Sequence, residues 1–142
     1  MLFSKALILI HVLGLAIALG SASVKLVLLV KCRSFEYIPF YLKVVRPITR
    51  LLITGLILVT LSGIIWLVRG FPFTPVLVTK VILVVLVWII GPVIDNVIEP
   101  KFVTAAASGA TLQVAGAYRK YLTAEVIATS LLYAITLFGV IL

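Results

Sequence analysis

His11, the only histidine of the chain, is the residue whose chemistry stands out first. It lies in an apolar run of about 19 uncharged residues, which is long enough to cross a bilayer as a helix. A neutral imidazole in such a helix either hydrogen-bonds to a neighbouring helix or ligates the iron of a haem. Because there is no second histidine, ligation of one iron by two histidines of the same chain is excluded. If an iron is bound, we predict His11 as its protein ligand.

Lys80 lies just inside the third apolar run and is the second residue of chemical interest. Its amine either reaches the nearer bilayer surface along its aliphatic stem, or neutralises haem propionates or an acidic substrate, or transfers protons. Arg69 ends the second run and is typical of an interface anchor. Trp66 and Trp88 are typical of helix packing or of the aromatic belt at a membrane surface.

Lys25, Asp95 and Glu125 form a further set at the opposite ends of three apolar runs. We predict an ion pair among them near the inner membrane boundary. We also expect Glu125 at the start of a helix, where the helix dipole favours an acid. The alternative is a proton path through the same three residues.

The composition identifies an integral membrane protein. Hydrophobic residues make up 64% of the 142 residues and charged residues only 11%, whereas about a quarter of a soluble domain is charged. The net charge of +8 is explained by cations that flank apolar runs, so nucleic acid is not an expected partner. The single cysteine, Cys32, excludes an internal disulfide. Phosphate-binding loops, zinc-protease motifs and Cys/His metal clusters are absent from the sequence.

Four apolar runs predict four membrane-spanning helices at about 6–30, 51–68, 76–94 and 122–142. We treat the first as a true span rather than a cleaved leader. The expected fold is all-α, a four-helix up-down bundle with a polar interior stripe, forming one transmembrane domain over 1–142. Arg46-Pro47 suits the start of the second helix. The stretch 100–121 is open between an interfacial helix, a helical extension and a flexible loop.

The basic residues predict the orientation. With four spans, the links 31–50 and 100–121 lie on the same side, and together they carry most of the Lys and Arg residues. The positive-inside rule makes this side cytoplasmic and places both termini on the non-cytoplasmic side of the cell membrane. Cys32 would then face a reducing compartment.

Small and polar residues recur on one face of each predicted helix, which is typical of helices that pack against each other. On the first helix, Gly14 and Ala18 follow His11 and leave room for either a flat macrocycle or a close helix crossing. Depth along the helices predicts two groups of side chains. The outer group is His11, Trp66, Arg69, Lys80 and Tyr133, and the inner group is Lys25, Asp95, Asn96, Glu99 and Glu125.

Short motifs in the first three runs resemble a superfamily of small membrane proteins with four or five helices. This superfamily includes the HemJ-type protoporphyrinogen oxidases and the membrane domain of CopD-type copper-resistance proteins. The motif residues are Lys5-Ala6-Leu7, His11, Gly14, Ser62-Gly63, Lys80 and Leu83-Val84. The resemblance implies haem b binding at His11 and a functional role, catalytic in an oxidase, for Lys80. The Tyr-His pair typical of the HemJ type is replaced by Ile89-Ile90-Gly91, and Met1, His11 and Cys32 are too scattered for a copper path.

The leading prediction is a haem b-binding membrane redox protein or electron-transfer subunit, with an enzymatic role of the HemJ-like oxidoreductase kind left open. Alternatives are a cofactor-free structural or assembly subunit and a proton or small-solute pathway. Expected partners are the lipid bilayer and either a second copy or a larger membrane complex. In the haem prediction His11 is the axial ligand and Gly14 and Ala18 make space. Arg69 and Lys80 neutralise the propionates, and Trp66 and Tyr133 line the pocket.

Overall fold

The computed structural model describes residues 1–141, and these residues contain helices and turns but no strand. A short 3₁₀ helix, Phe35–Tyr37, precedes the second α-helix, and a π-helical turn, Ile94–Ile98, joins the third to the fourth. The α-helices are α1 Leu2–Lys31, α2 Ile38–Val68, α3 Pro75–Val93, α4 Glu99–Ser108 and α5 Thr111–Ile141. Because α3, the π turn and α4 run on without a break, the chain forms four long rods.

All four rods are long and apolar enough to cross a membrane. Contacts between α1 and α2 pair residues early in one with residues late in the other, as in His11 with Ser62, so these helices are antiparallel. Short turns join consecutive rods, which favours antiparallel neighbours throughout. The buried polar side chains are Ser21, Lys25, Ser62, Glu125 and Thr129. The predicted all-α membrane bundle with polar residues in its interior is confirmed.

Charged residues mark the two edges of a lipid-facing belt. Lys5 and Lys25 bound the charge-free stretch of α1, and Arg50 and Arg69 bound that of α2. Each stretch is about 28 Å long at 1.5 Å per residue, close to the thickness of a hydrocarbon core. The outer surfaces of these stretches are exposed Leu, Ile and Val side chains. One edge of the belt, which we call the inner edge, therefore lies near Lys25, Arg50, Asp95 and Glu125.

Beyond this edge the four rods continue as a helical cap with its own core. The cap, residues 26–49 and 96–124, buries a cluster of mostly apolar and aromatic side chains. These are Leu29, Cys32, Ile38, Tyr41, Val45, Phe102, Val114 and Tyr121, with Ile94 at its base. Burial raises the pKa of the Cys32 thiol to about 11, so this thiol stays protonated at neutral pH. The exposed surface of the cap carries the basic residues.

The cap corrects three expectations about chain segments. The stretches 31–50 and 100–121, described above as links or loops, are largely helical. Helix α2 begins at Ile38, with Pro39 in its first turn, and not at Arg46-Pro47. Glu125 lies well inside α5 and not at a helix start. In each case the helix extends beyond the apolar run from which its length was predicted. Buried cap residues, such as Tyr41 and Tyr121, stabilise these additional helical turns.

Of the three possibilities for 100–121, the structure shows helical extensions. They belong to α4 and α5 and are separated by one break. Gly109 ends α4 in the left-handed conformation, with φ of 70°. This geometry suits glycine because it has no Cβ. Helix α5 then starts at Thr111, and Val114 and Tyr121 return the chain to the cap core.

Helices α1 and α2 approach each other closely through their backbones. A Cβ added to Gly55 would lie 2.5 Å from the Ala18 backbone nitrogen and 2.7 Å from the Gly14 carbonyl oxygen. Glycines facing each other allow such an approach, which in membranes replaces the missing hydrophobic driving force with van der Waals contact. Of the two uses foreseen for Gly14 and Ala18, the close helix crossing is the one observed.

We expect Gly55→Ala to destabilise the protein by about 1–3 kcal/mol, because the added methyl group overlaps the α1 backbone. Thermal unfolding in mild detergent measures this loss. Gly63→Ala on the same helix is the matched control, since its Cβ meets nothing within 4 Å. Equal melting temperatures for the two variants would contradict the close crossing.

Candidate functional site

The ammonium group of Lys25 is buried among three carboxylates. Its Nζ lies 2.7 Å from Glu125 Oε1, 3.5 Å from Asp95 Oδ1 and 3.9 Å from Glu99 Oε2. The side chains of Lys25 and Glu125 are 2% and 5% exposed, whereas those of Asp95 and Glu99 are 27% and 16% exposed. The predicted ion pair is confirmed, and it is part of a larger set, which we call the carboxylate cluster.

Three separate rods supply the members of the carboxylate cluster. Lys25 comes from α1 and Glu125 from α5, while Asp95 and Glu99 come from the π turn and the first residue of α4. Pro100 has no amide proton and cannot donate to the Asn96 carbonyl, so regular α-helical bonding is interrupted here. π-Helical turns occur often at functional sites. This turn lets both acids, four residues apart, reach the same amine.

Two buried tyrosines extend the carboxylate cluster into the cap. The hydroxyls of Tyr41 and Tyr121 are 2.7 Å apart, and Tyr121 also donates to Glu99 Oε2 at 3.2 Å. The Lys25 Nζ lies 5.8 Å from the centre of the Tyr121 ring. Neither tyrosine is among the candidate residues of the sequence analysis, which missed both. The spacing Tyr121, Glu125, Thr129 on one helical face was the available signal.

The charges of the carboxylate cluster do not balance. With every group ionised, one ammonium faces three carboxylates, which leaves two negative charges in a largely buried site. Uncompensated charge is costly away from water. The cluster is therefore stabilised by any added proton or small cation. Within residues 1–141, no group of three His, Cys, Asp or Glu is arranged to hold a metal ion.

A groove of about 610 Å³ between α2 and α4 leads to the exposed side of the carboxylate cluster. Asp95 and Glu99 form part of its wall, together with Arg46, Arg50 and Thr49 of α2. Glu125 is not among its lining residues. The two partly exposed acids thus face the groove, and the Lys25–Glu125 pair lies behind them.

Toward the bilayer centre, the carboxylate cluster adjoins buried hydroxyls and an apolar layer. Ser21 and Thr129 lie one helical turn from Lys25 and Glu125, and their buried hydroxyls have no hydrogen-bond partner in the described part of the chain. The apolar layer consists of Ala22, Val87, Leu132 and Ile135, which pack together. Its members on α3 and α5 lie about two to three helical turns from the acids of the cluster, and the outer half of the bundle, away from the cap, lies beyond them.

His11 lies in that outer half, between α1 and α2. Its Nδ1 is 2.7 Å from Ser62 Oγ, and its ring centre is 5.2 Å from that of Trp66. The Ser62 hydroxyl also lies 2.7 Å from the Leu58 carbonyl oxygen and 3.0 Å from the Val59 carbonyl oxygen, so its proton has two backbone acceptors besides Nδ1. When that proton goes to a backbone oxygen, His11 Nδ1–H donates to Ser62 and the lone pair is on Nε2; the other tautomer reverses the His11–Ser62 bond.

The other residues predicted to surround His11 are only partly brought together. Arg69 lies over the Phe3 ring at 4.1 Å. The Lys80 amine lies against α5, 3.3 Å from the position of a Cβ added to Gly139. The Tyr133 hydroxyl pairs with Ser23 at 2.8 Å; Ser23 is about 18 Å along α1 from His11. Tyr133 thus lies near the middle of the bundle, away from the histidine.

The space that a haem would need beside His11 is filled by protein. Gly14 and Ala18 were expected to leave room for a flat macrocycle, but Gly55 and Val59 of α2 occupy that side of α1. A Cβ on Gly14 would already lie 2.8 Å from Leu58 Cβ. The described residues around His11 therefore do not fit a haem lying on this face. Trp88, the other tryptophan, donates to Thr60 Oγ1 at 2.9 Å and serves helix packing.

We expect Lys25→Met to destabilise the protein by about 3 kcal/mol, because it leaves three carboxylates without their ammonium. The value is at the low end for a buried pair since the side chains of Asp95 and Glu99 are partly exposed to water in the groove. Unfolding by heat in detergent measures it, with Lys31→Met, an exposed lysine of the same helix, as control. Adding Glu125→Gln to Lys25→Met should restore part of the stability. If Lys25→Met melts like Lys31→Met, the cluster contributes no stability.

No protein-family model, curated protein or solved structure matches the chain.

Proposed function

We propose that the protein is a membrane proton pathway, or the proton-binding subunit of one, in which the carboxylate cluster is the proton-binding site. The observation that carries this proposal is the buried excess of carboxylates over ammonium groups around Lys25. A site that is stabilised by taking up a proton, and whose members differ in exposure, has the properties needed to bind and release protons.

Access to the cluster supports a route from the cap side. Asp95 and Glu99 face the groove and can exchange protons with water there. Glu125 is the most buried acid and touches Lys25, so a proton would pass from the groove acids to Glu125. The unpartnered hydroxyls of Ser21 and Thr129 then offer hydrogen-bonding groups one turn further into the bilayer.

The apolar layer formed by Ala22, Val87, Leu132 and Ile135 would act as the gate of this pathway. Hydrophobic constrictions block ions and protons while dry and conduct when water enters. Beyond the layer, the Ser62 hydroxyl and the His11 imidazole provide titratable and hydrogen-bonding groups in the outer half. Net transport would thus require the layer to become hydrated.

The proposed orientation places the cap in the cytoplasm of a cell and both termini on the opposite side of the cell membrane. Its support is the exposed basic surface of the cap, which carries Lys31, Arg33, Lys43, Arg46, Arg50, Lys101, Arg119 and Lys120. The groove then opens toward the cytoplasm. A second copy or a larger membrane complex is the proposed protein partner, with the bilayer as solvent.

We expect proton entry into liposomes that contain the protein to exceed that into protein-free liposomes when a potassium gradient with valinomycin sets the membrane potential. An enclosed pH-sensitive dye measures the rate. Glu125→Gln and Asp95→Asn should each reduce the protein-dependent rate at least tenfold, because each removes a proton acceptor. Glu36→Gln, an exposed acid outside the cluster, should leave the rate unchanged.

Two results would overturn the proton pathway. One is a rate no higher than that of protein-free liposomes, which would favour the cofactor-free structural subunit instead. The other is an undiminished rate in both cluster variants. Thermal unfolding of each variant before reconstitution separates loss of a proton acceptor from loss of the fold.

Haem b binding by His11, with a redox function of the kind suggested by the HemJ-type resemblance, stays a second proposal. Its support is the lone pair that Nε2 carries when His11 Nδ1–H donates to Ser62. Any haem would have to approach from a side other than that of Gly14 and Ala18. When bound, it would supply one-electron chemistry.

The haem proposal predicts a Soret band in detergent-purified protein supplied with haem, and loss of that band in His11→Ala. The absorption spectrum measures both. Absence of the band from the wild-type protein would exclude haem binding, and a band that persists in His11→Ala would exclude His11 as the ligand. Trp88→Phe is the control for a general change in packing, since Trp88 contacts Thr60 and is outside the predicted haem pocket.

A further inference from the structure

The groove between α2 and α4 carries opposite charges on its two walls. Arg46 and Arg50 line it from α2, one helical turn apart, and Asp95 and Glu99 line it from the π turn and α4. Its volume of about 610 Å³ lies in the range of small-molecule sites. The remaining lining residues are Leu42, Val45, Thr49, Pro100, Val103 and Thr104.

The groove lies at the depth of the lipid headgroups. Arg50 directly precedes the charge-free stretch of α2, and Asp95 directly follows that of α3. Residues at such a boundary face phosphate and amine groups rather than acyl chains. A ligand in this position is thus most easily supplied by the bilayer itself.

The two arginines have no carboxylate of their own. Within residues 1–141 every ion pair of the described side chains belongs to Lys25, and Arg46 and Arg50 form none. Guanidinium groups bind phosphate with planar, paired hydrogen bonds. Between them, the Thr49 hydroxyl is buried and lacks a hydrogen-bond partner in the described chain. This wall of the groove is suited to a phosphate group.

The opposite wall is suited to an ammonium group. Asp95 and Glu99 share the single ammonium of Lys25 with Glu125, which lies closer to it. Their oxygens are 3.5 Å and 3.9 Å from Lys25 Nζ, so their negative charge is incompletely compensated. A primary ammonium can donate three hydrogen bonds to such oxygens. From these two walls we infer that the groove binds the headgroup of phosphatidylethanolamine, with its phosphate at Arg46 and Arg50 and its ammonium at Asp95 and Glu99.

This pairing distinguishes phosphatidylethanolamine from the other common headgroups. Phosphatidylglycerol offers a phosphate but no cation for the acidic wall, and it brings another negative charge to a cluster that already has an excess. Phosphatidylcholine carries a cation without N–H donors. The acidic wall should therefore select against phosphatidylglycerol by charge and against phosphatidylcholine by hydrogen bonding.

The test is native mass spectrometry of the intact protein released from detergent after incubation with equal amounts of the three lipids. We expect one phosphatidylethanolamine per chain to be retained at least fivefold over either competitor. Because the acidic wall sets the preference, the double variant Asp95→Asn with Glu99→Gln should abolish it. The double variant Arg46→Gln with Arg50→Gln should instead lower the retention of all three lipids. Lys43→Gln, an exposed cation of the same helix outside the groove, should retain the lipids as the wild-type protein does.

Three outcomes would overturn the inference. They are equal retention of all three lipids, a preference for phosphatidylglycerol, and a double variant of either wall that binds the three lipids as the wild-type protein does. Inorganic phosphate and soluble phosphoethanolamine form separate arms of the test. If phosphate alone displaces the lipid as well as phosphoethanolamine does, the acidic wall does not recognise the ammonium. Both proposals use Asp95 and Glu99, but none of these readouts depends on proton movement, so the failure of one is distinguishable from the failure of the other.

Discussion

The arrangement of the inner half of the bundle depends on one buried ammonium group, that of Lys25. Its carboxylate partners come from two other rods, so the ion pairs tie α1 to α5 and to the π turn. In a bilayer, where apolar surface alone gives no preference for helix contact, polar contacts of this kind select the register and the neighbours of each helix. The same contacts concentrate titratable groups in one place. Structural specificity and the capacity to hold protons thus have a common origin here.

The structure divides into a lipid belt and a cap, and the carboxylate cluster lies where they meet. On the belt side, packing is maintained by glycine contacts and the apolar layer. On the cap side, it is maintained by an aromatic core that includes Tyr41, Phe102 and Tyr121. The cluster is therefore neither fully in hydrocarbon nor fully in water. This position explains why Asp95 reaches the groove while Lys25 does not reach solvent.

Much of the belt could be predicted from the sequence, because long uncharged runs permit only helices in a bilayer. The contacts of Lys25 with Asp95 and Glu125 could also be predicted, because these residues lie at similar depths along three such runs. The cap could not be predicted in the same way. Its helices mix polar and apolar residues, and their stability comes from partners far apart in sequence, such as Tyr41 and Tyr121. The prediction that Tyr133 lies near His11 was wrong, since its hydroxyl pairs with Ser23. The helix face and the approximate depth of a residue do not specify which neighbour its side chain reaches.

The order in which the chain is synthesised gives the Lys25 contacts a consequence for biogenesis. Lys25 enters the membrane with the first hairpin, α1 and α2, whose glycine contact can form from this hairpin alone. All three of its acidic partners are translated later, in the second half of the chain. Until they arrive, the nascent hairpin carries an ammonium without a counter-ion at the bilayer edge. A truncated or stalled product would keep that unmatched charge, which gives membrane quality control a physical feature by which to recognise an unfinished chain.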